Sequence, residues 1–115
     1  MTDHNEVADV LDGAADVIER DGWHQGHYYI PGEGVCAIGA FAQATGLRHP
    51  DIEDRGFGPR RALAGHLGFD PDYAGPIIRW NDAPERTKQE VLDALRKAAK
   101  HERAAADGID LGGAA

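Results

Sequence analysis

The chain has 115 residues, 20 acidic and 12 basic, for a net charge of -8 with neutral histidines. That length suits one domain, and the acidic balance argues against a protein that grips nucleic acid by neutralising phosphates. A single cysteine excludes an internal disulfide framework and a multi-cysteine zinc site. Val, Ile, Leu and Phe together number only 22, while Ala numbers 19. The composition therefore implies a small core or a partly disordered chain.

The first element is a helix over about Asn5 to Asp21. Val7, Val10, Leu11, Ala14, Val17 and Ile18 recur at helical spacing and define one apolar stripe. Asp9, Asp12, Asp16 and Glu19 line the other side, and Gly22 suits a left-handed stop. Trp23 to Ile30 is aromatic, and Pro31-Gly32-Glu33-Gly34 is a turn signal. Two readings stay open there. One is a short hairpin pairing Tyr28–Ile30 with Val35–Cys36; the other is a loop feeding a helix. A helix from about Cys36 to Thr45 follows, apolar nearly all round and hence buried among other elements.

Residues 48–59 read as a polar loop with a turn of helix near Pro50–Asp54. A helix over Arg60 to Leu67 comes next, then a short helix or extended segment over Tyr73 to Trp80. The last helix is expected from Pro84 to about Ala105, with Asn81 or Asp82 as its N-cap and Glu85 completing a capping box. Residues 1–21 carry seven acids and one base, and residues 83–106 carry four acids and six bases, so the first and last helices are placed to attract each other. The reading is a mainly α fold, with α+β as the alternative if the hairpin forms. It has one globular domain over 1–106 and a flexible tail over 107–115. The expected core is Val10, Leu11, Val17, Ile18, Trp23, Ile38, Phe41, Leu63, Leu67, Ile78, Trp80, Val91, Leu92 and Leu95. A core this small makes a homodimer a reasonable expectation.

Several motifs stand in order along the chain: Gly22-Trp23-His24-Gln25-Gly26-His27-Tyr28, Cys36-Ala37-Ile38-Gly39-Ala40, Trp80-Asn81-Asp82, Arg86-Thr87 and Glu90-Val91. Together, over about residues 7–100, they resemble a family of small uncharacterised proteins of actinobacteria and their phages, a domain of unknown function. The resemblance implies a high-GC host cytoplasm or a phage genome as the setting. It carries no activity and no functional residue.

Four constellations carry candidate chemistry. Cys36 follows a glycine region and opens a helix, where the dipole lowers a thiol pKa. With His24, His27 or His66 as base and Asn81 or Asp82 as orienter, it would make a cysteine hydrolase or transferase; Cys36, His27 and Asp82 are the catalytic candidates. The plainer reading is a buried small residue. His24-x-x-His27 with Cys36, and His49 or a carboxylate as a fourth donor, would supply zinc ligands. The spacing matches no recurring finger pattern, and no metal or cofactor is assigned on it. Trp80-Asn81-Asp82 is either a polar cleft with an aromatic platform or a helix cap. The acidic stripe is either a solvated face or a mimic of DNA phosphates. Near it in kind, Arg48, Arg55, Arg60 and Arg61 form a modest basic loop whose field Asp51, Glu53 and Asp54 cancel.

The expected function is a small cytoplasmic, non-enzymatic module that binds another protein, a host protein if the gene belongs to a phage. Its binding residues would be Trp23, His24, His27, Tyr28, Trp80, Asn81 and Asp82. The N-terminus lacks the basic start and apolar run of a signal peptide, and the uncharged run Gly34–Leu47 is too short to span a bilayer. No membrane partner is expected.

Overall fold

The computed structural model describes residues 3–108; of the tail expected over 107–115, all from residue 109 onward lies outside them. Among the described residues there are six helices and one hairpin: α1 (His4–Asp21), β1 (Tyr29–Ile30), β2 (Gly34–Val35), α2 (Ala37–Thr45), α3 (His49–Glu53), α4 (Gly58–Leu67), α5 (Gly75–Asn81) and α6 (Lys88–Ala106). The mainly α reading holds, and the hairpin forms in the register Tyr29↔Val35 and Ile30↔Gly34. No described helix is long and apolar enough to cross a membrane.

The opening helix starts at His4 because the Asp3 carboxylate accepts from the Asn5 and Glu6 amides. Its stripe buries Val7, Ala8, Leu11, Ala14, Ala15, Val17 and Ile18. That face packs most extensively on α6, which buries Val91, Leu92, Ala94, Leu95, Ala98 and Ala99. The two helices run antiparallel. Arg96 reaches Asp12, Asp16 and Glu19, while Arg103, two turns on, reaches Asp9 and Asp12. The attraction expected between the terminal helices is thus realised as a ladder of ion pairs. The acidic stripe is bridged within the molecule, which removes the free row of charge that a DNA mimic would need.

Alanine supplies much of the interior. Ala8, Ala14, Ala15, Ala37, Ala40, Ala64, Ala94, Ala98 and Ala99 are buried, and the small side chains let helix backbones approach closely. The expected core corrects in detail. Leu11, Val17, Ile18, Ile38, Phe41, Leu63, Val91, Leu92 and Leu95 are buried. Val10, Trp23, Leu67, Ile78 and Trp80 pack against that core while keeping some exposure. Val7, Val35, Ile52 and Ile77 join the interior.

Two elements differ from expectation. The last helix begins at Lys88, four residues later than Pro84. Thr87 is its N-cap, bonding the Glu90 amide, and the Glu90 side chain bonds back to the Thr87 amide. Asn81 and Asp82 end α5 and do not start α6, because their side chains are drawn to other partners. Arg60, expected in a basic loop, is fully buried. Its guanidinium donates to the carbonyls of Ile52, Asp54 and Pro71, tying the α3–α4 and α4–α5 connections to one point. A buried guanidinium with its donors filled by carbonyls is a loop clamp.

Candidate functional site

Four segments converge at one end of α2. Gly22 and Trp23 run beside β2, where the Val35 amide donates to the Gly22 carbonyl and the His24 amide to the Val35 carbonyl. This approach needs Gly34. Its φ is +115°, and a Cβ there would lie 2.4 Å from the Gly22 carbonyl. The chain then loops through Gly26 to Tyr28, whose carbonyl accepts from the Cys36 amide. Tyr28 also lies against Gly39, where a Cβ would fall 1.7 Å from the Tyr28 oxygen. The fourth segment is the C-terminal end of α5.

Asn81 joins these segments. It is 1% exposed. Its Oδ1 accepts from Trp23 Nε1 at 2.8 Å and from the Ala37 amide at 3.0 Å. Its Nδ2 donates to the His24 carbonyl at 3.3 Å and to Asp82 Oδ1 at 3.0 Å. A carboxamide offers two donors and two acceptor sites, and all four are filled. Gln25 answers from the loop, with Nε2 donating to the carbonyls of Asn81 and Ala83. Asp82 Oδ1 also accepts from the Gly26 amide at 3.0 Å. The loop is therefore stitched to α5 by side chains from both partners.

Between them opens a cleft of about 340 Å³, lined mostly by apolar surface from Gly26, His27, Tyr28, Cys36, Ile78, Asn81 and Asp82. That volume falls at the lower end of the range for small-ligand pockets. The three catalytic candidates, Cys36, His27 and Asp82, meet here. Of the expected binding residues, His27, Tyr28, Asn81 and Asp82 line the cleft, while Trp23 and Trp80 pack against the core and Trp23 bonds Asn81. Trp80 carries the Arg86 guanidinium 4.4 Å over its ring. His24 sits at the rim, its Nε2 3.4 Å from His27 Nδ1. Gly26 and Ile78 complete the lining and were not marked as site residues by sequence.

The chemistry of Cys36 differs from the expectation of an activated thiol. It is the N-cap of α2, and its sulfur accepts from the Gly39 amide at 3.3 Å. Those backbone donors favour the thiolate, yet burial pushes the thiol pKa up and outweighs them. Among the described residues no histidine hydrogen-bonds the sulfur. His66 lies in the last turn of α4, where its ring meets His101 edge-on, and does not line the cleft. The zinc set of His24, His27 and Cys36 also does not assemble. Among the described residues no group of three or more His, Cys, Asp or Glu stands close enough to hold a metal. His49, the suggested fourth donor, instead packs its ring 4.1 Å from that of Tyr28.

Tyr28 closes one wall. Its hydroxyl donates to Glu53 Oε1 at 2.6 Å, and that bond, with a smaller contribution from burial, pushes the phenol pKa up to about 12. No buried side-chain polar atom among the described residues lacks a partner. The cleft thus offers an apolar floor, with the buried polar groups of its walls already committed to internal bonds.

No curated protein and no solved structure matches the chain. A family model spanning residues 2–101 does match, that of a family of unknown function (DUF6197), and the chain belongs to that family.

Proposed function

We propose that the protein is a small non-enzymatic binding module, and that the cleft between the 24–28 loop and α5 receives apolar side chains of a partner protein. The observation that carries this reading is the state of the cleft's polar groups. Asn81 is saturated by internal bonds, Asp82 Oδ1 is taken by the Gly26 and Asn81 donors, and the Cys36 thiol is held in its protonated form. Such a lining favours burial of an apolar group over bond making. Exposed Tyr29, the residue after the Tyr28 that lines the cleft, offers an amphipathic ring suited to interfaces. The setting we assign is a cytoplasm, that of an actinobacterial cell or one infected by its phage, with a host protein as the partner.

The cysteine hydrolase or transferase is the alternative. It rests on His27 and Cys36 lining one cleft, and it lacks a histidine bond to the sulfur. The discriminating experiment places a photo-crosslinking amino acid at Tyr29 and, separately, at Lys100 on the exposed face of α6, more than three turns beyond the start of that helix. A partner captured from host lysate through position 29 alone, and lost when Ile78 is changed to Arg, supports the reading. Capture that is equal from both positions, or indifferent to Ile78→Arg in a folded variant, refutes it.

A further inference from the structure

The rim of the cleft carries a feature that protein binding does not require. His24 Nε2 and His27 Nδ1 face each other at 3.4 Å, with ring centroids 5.5 Å apart and planes inclined at 39°. Both nitrogens belong to groups that bind borderline divalent metals through a lone pair. A metal 2.0–2.1 Å from each nitrogen would subtend an N–metal–N angle of about 110° at this separation, close to the tetrahedral value. The separation of the two nitrogens suits a chelate once the proton between them has moved to the far side of its ring.

The backbone beneath them is fixed. The His24 amide is bonded to Val35 and its carbonyl to Asn81. Gln25 grips two carbonyls beyond α5, and the Gly26 amide is held by Asp82. Gly26, at φ +84°, reverses the chain so that residues three apart bring their rings together. A strand would have sent them to opposite faces. Ligands pre-set on a pinned loop lose little freedom on binding.

We propose that His24 and His27 form a two-donor site for a first-row divalent transition metal such as zinc or nickel, with water completing the coordination. The absence of a third protein donor among the described residues leaves positions open at the mouth of the cleft. Binding changes tautomers and not the proton count. Without metal, one of the two facing nitrogens carries the proton shared in their contact. With metal, both facing nitrogens present lone pairs, and the protons reside on His24 Nδ1 and His27 Nε2. Acidification opposes binding because protonated imidazole cannot ligate. Hard Mg²⁺ is a poor match for paired imidazoles.

The test is calorimetric titration of untagged, chelator-treated protein with zinc chloride, nickel chloride and magnesium chloride. The proposal expects one zinc or nickel ion per chain and no binding of magnesium. His24→Ala and His27→Ala each weaken affinity at least tenfold, while the double variant His66→Ala/His101→Ala, which removes the other histidine pair, leaves it unchanged. Nitrogen-15 spectra of the histidine rings should show coordination at His24 Nε2 and His27 Nδ1. Circular dichroism confirms that each variant remains folded, and His24→Gln replaces His24→Ala if that variant does not. Affinity unchanged by either rim substitution, or lost with His66 and His101, overturns the site. The crosslinking result stands or falls separately, since it uses Tyr29 and Ile78.

Discussion

Replacing Asn81 with Ala should be among the most damaging single changes in this chain. The substitution removes the acceptor of the buried Ala37 amide and of Trp23 Nε1, and the donor to the His24 carbonyl. An unsatisfied buried polar group costs about 1–3 kcal/mol. Taking about 2 kcal/mol for the enclosed Ala37 amide, and less for the two groups that water reaches, gives roughly 3–4 kcal/mol. Against a typical stability of about 5–15 kcal/mol, that is a large fraction. A domain of this size would lose on the order of 12–16 °C in Tm. Urea denaturation followed by circular dichroism measures the loss as a shift in midpoint at constant slope. Native-state hydrogen exchange should show protection lost first at the amides of residues 22–28, the segment that Asn81 holds. Asp82→Ala, at an exposed position, serves as the control and should cost under about 1 kcal/mol. A loss below about 1 kcal/mol for Asn81→Ala would refute the claim that this carboxamide assembles the cleft.

Three other outcomes follow from the same geometry. Gly39→Ala pushes a methyl into the Tyr28 carbonyl, so a loss above about 3 kcal/mol, or failure to fold, is expected in the same denaturation assay. His66 has its pKa lowered, by burial first and then by His101 and Lys97. The folded state thus resists a proton that the unfolded chain accepts, and stability falls as pH drops through the ordinary histidine range near 6.5. His66→Phe should flatten the stability profile between neutral pH and pH 5, and an unchanged profile would count against that assignment. Arg96→Met removes three exposed or half-exposed ion pairs, which solvent screens. A cost of only about 1 kcal/mol is expected, shrinking in 1 M salt when thermal melts are compared.

The elements most legible in the sequence were those whose stabilising contacts are local or periodic. The stripe through Val7, Leu11, Ala14 and Ile18 specified α1, and Gly22 its end. The charge contrast between the terminal helices specified their pairing. The start of α6 misled because Asp82, Pro84 and Glu85 offer a capping pattern as acceptable as that of Thr87 and Glu90. What decides between them lies elsewhere in the chain: Gln25 takes the carbonyls after α5, and Arg86 donates to the Trp80 carbonyl while its guanidinium covers the ring. Asn81 is then spent on Trp23 and Ala37 rather than on a helix end.

The same distance in sequence hid how the site is held together. His27, Tyr28, Cys36, Asn81 and Asp82 were each visible as residues of interest. Their convergence depends on bonds spanning 56 to 58 residues, such as Gly26 to Asp82 and Trp23 to Asn81. Arg60 was read as surface charge because its acceptors are backbone carbonyls, which leave no mark in a sequence. Two readings of the thiol were open in the sequence, and the structure bears out the buried one. Helix position is local and readable, whereas the burial that outweighs it comes from α5 and the loop packed above.

The claim that this cleft recognises rather than reacts is tested most directly at its one sulfur. The rate of Cys36 alkylation by iodoacetamide should be followed against pH in native protein and in urea. Burial predicts native alkylation slower than in the unfolded chain, with its midpoint displaced above the ordinary thiol range. Native alkylation faster than that of the unfolded chain at neutral pH would reveal an activated thiolate and contradict the account.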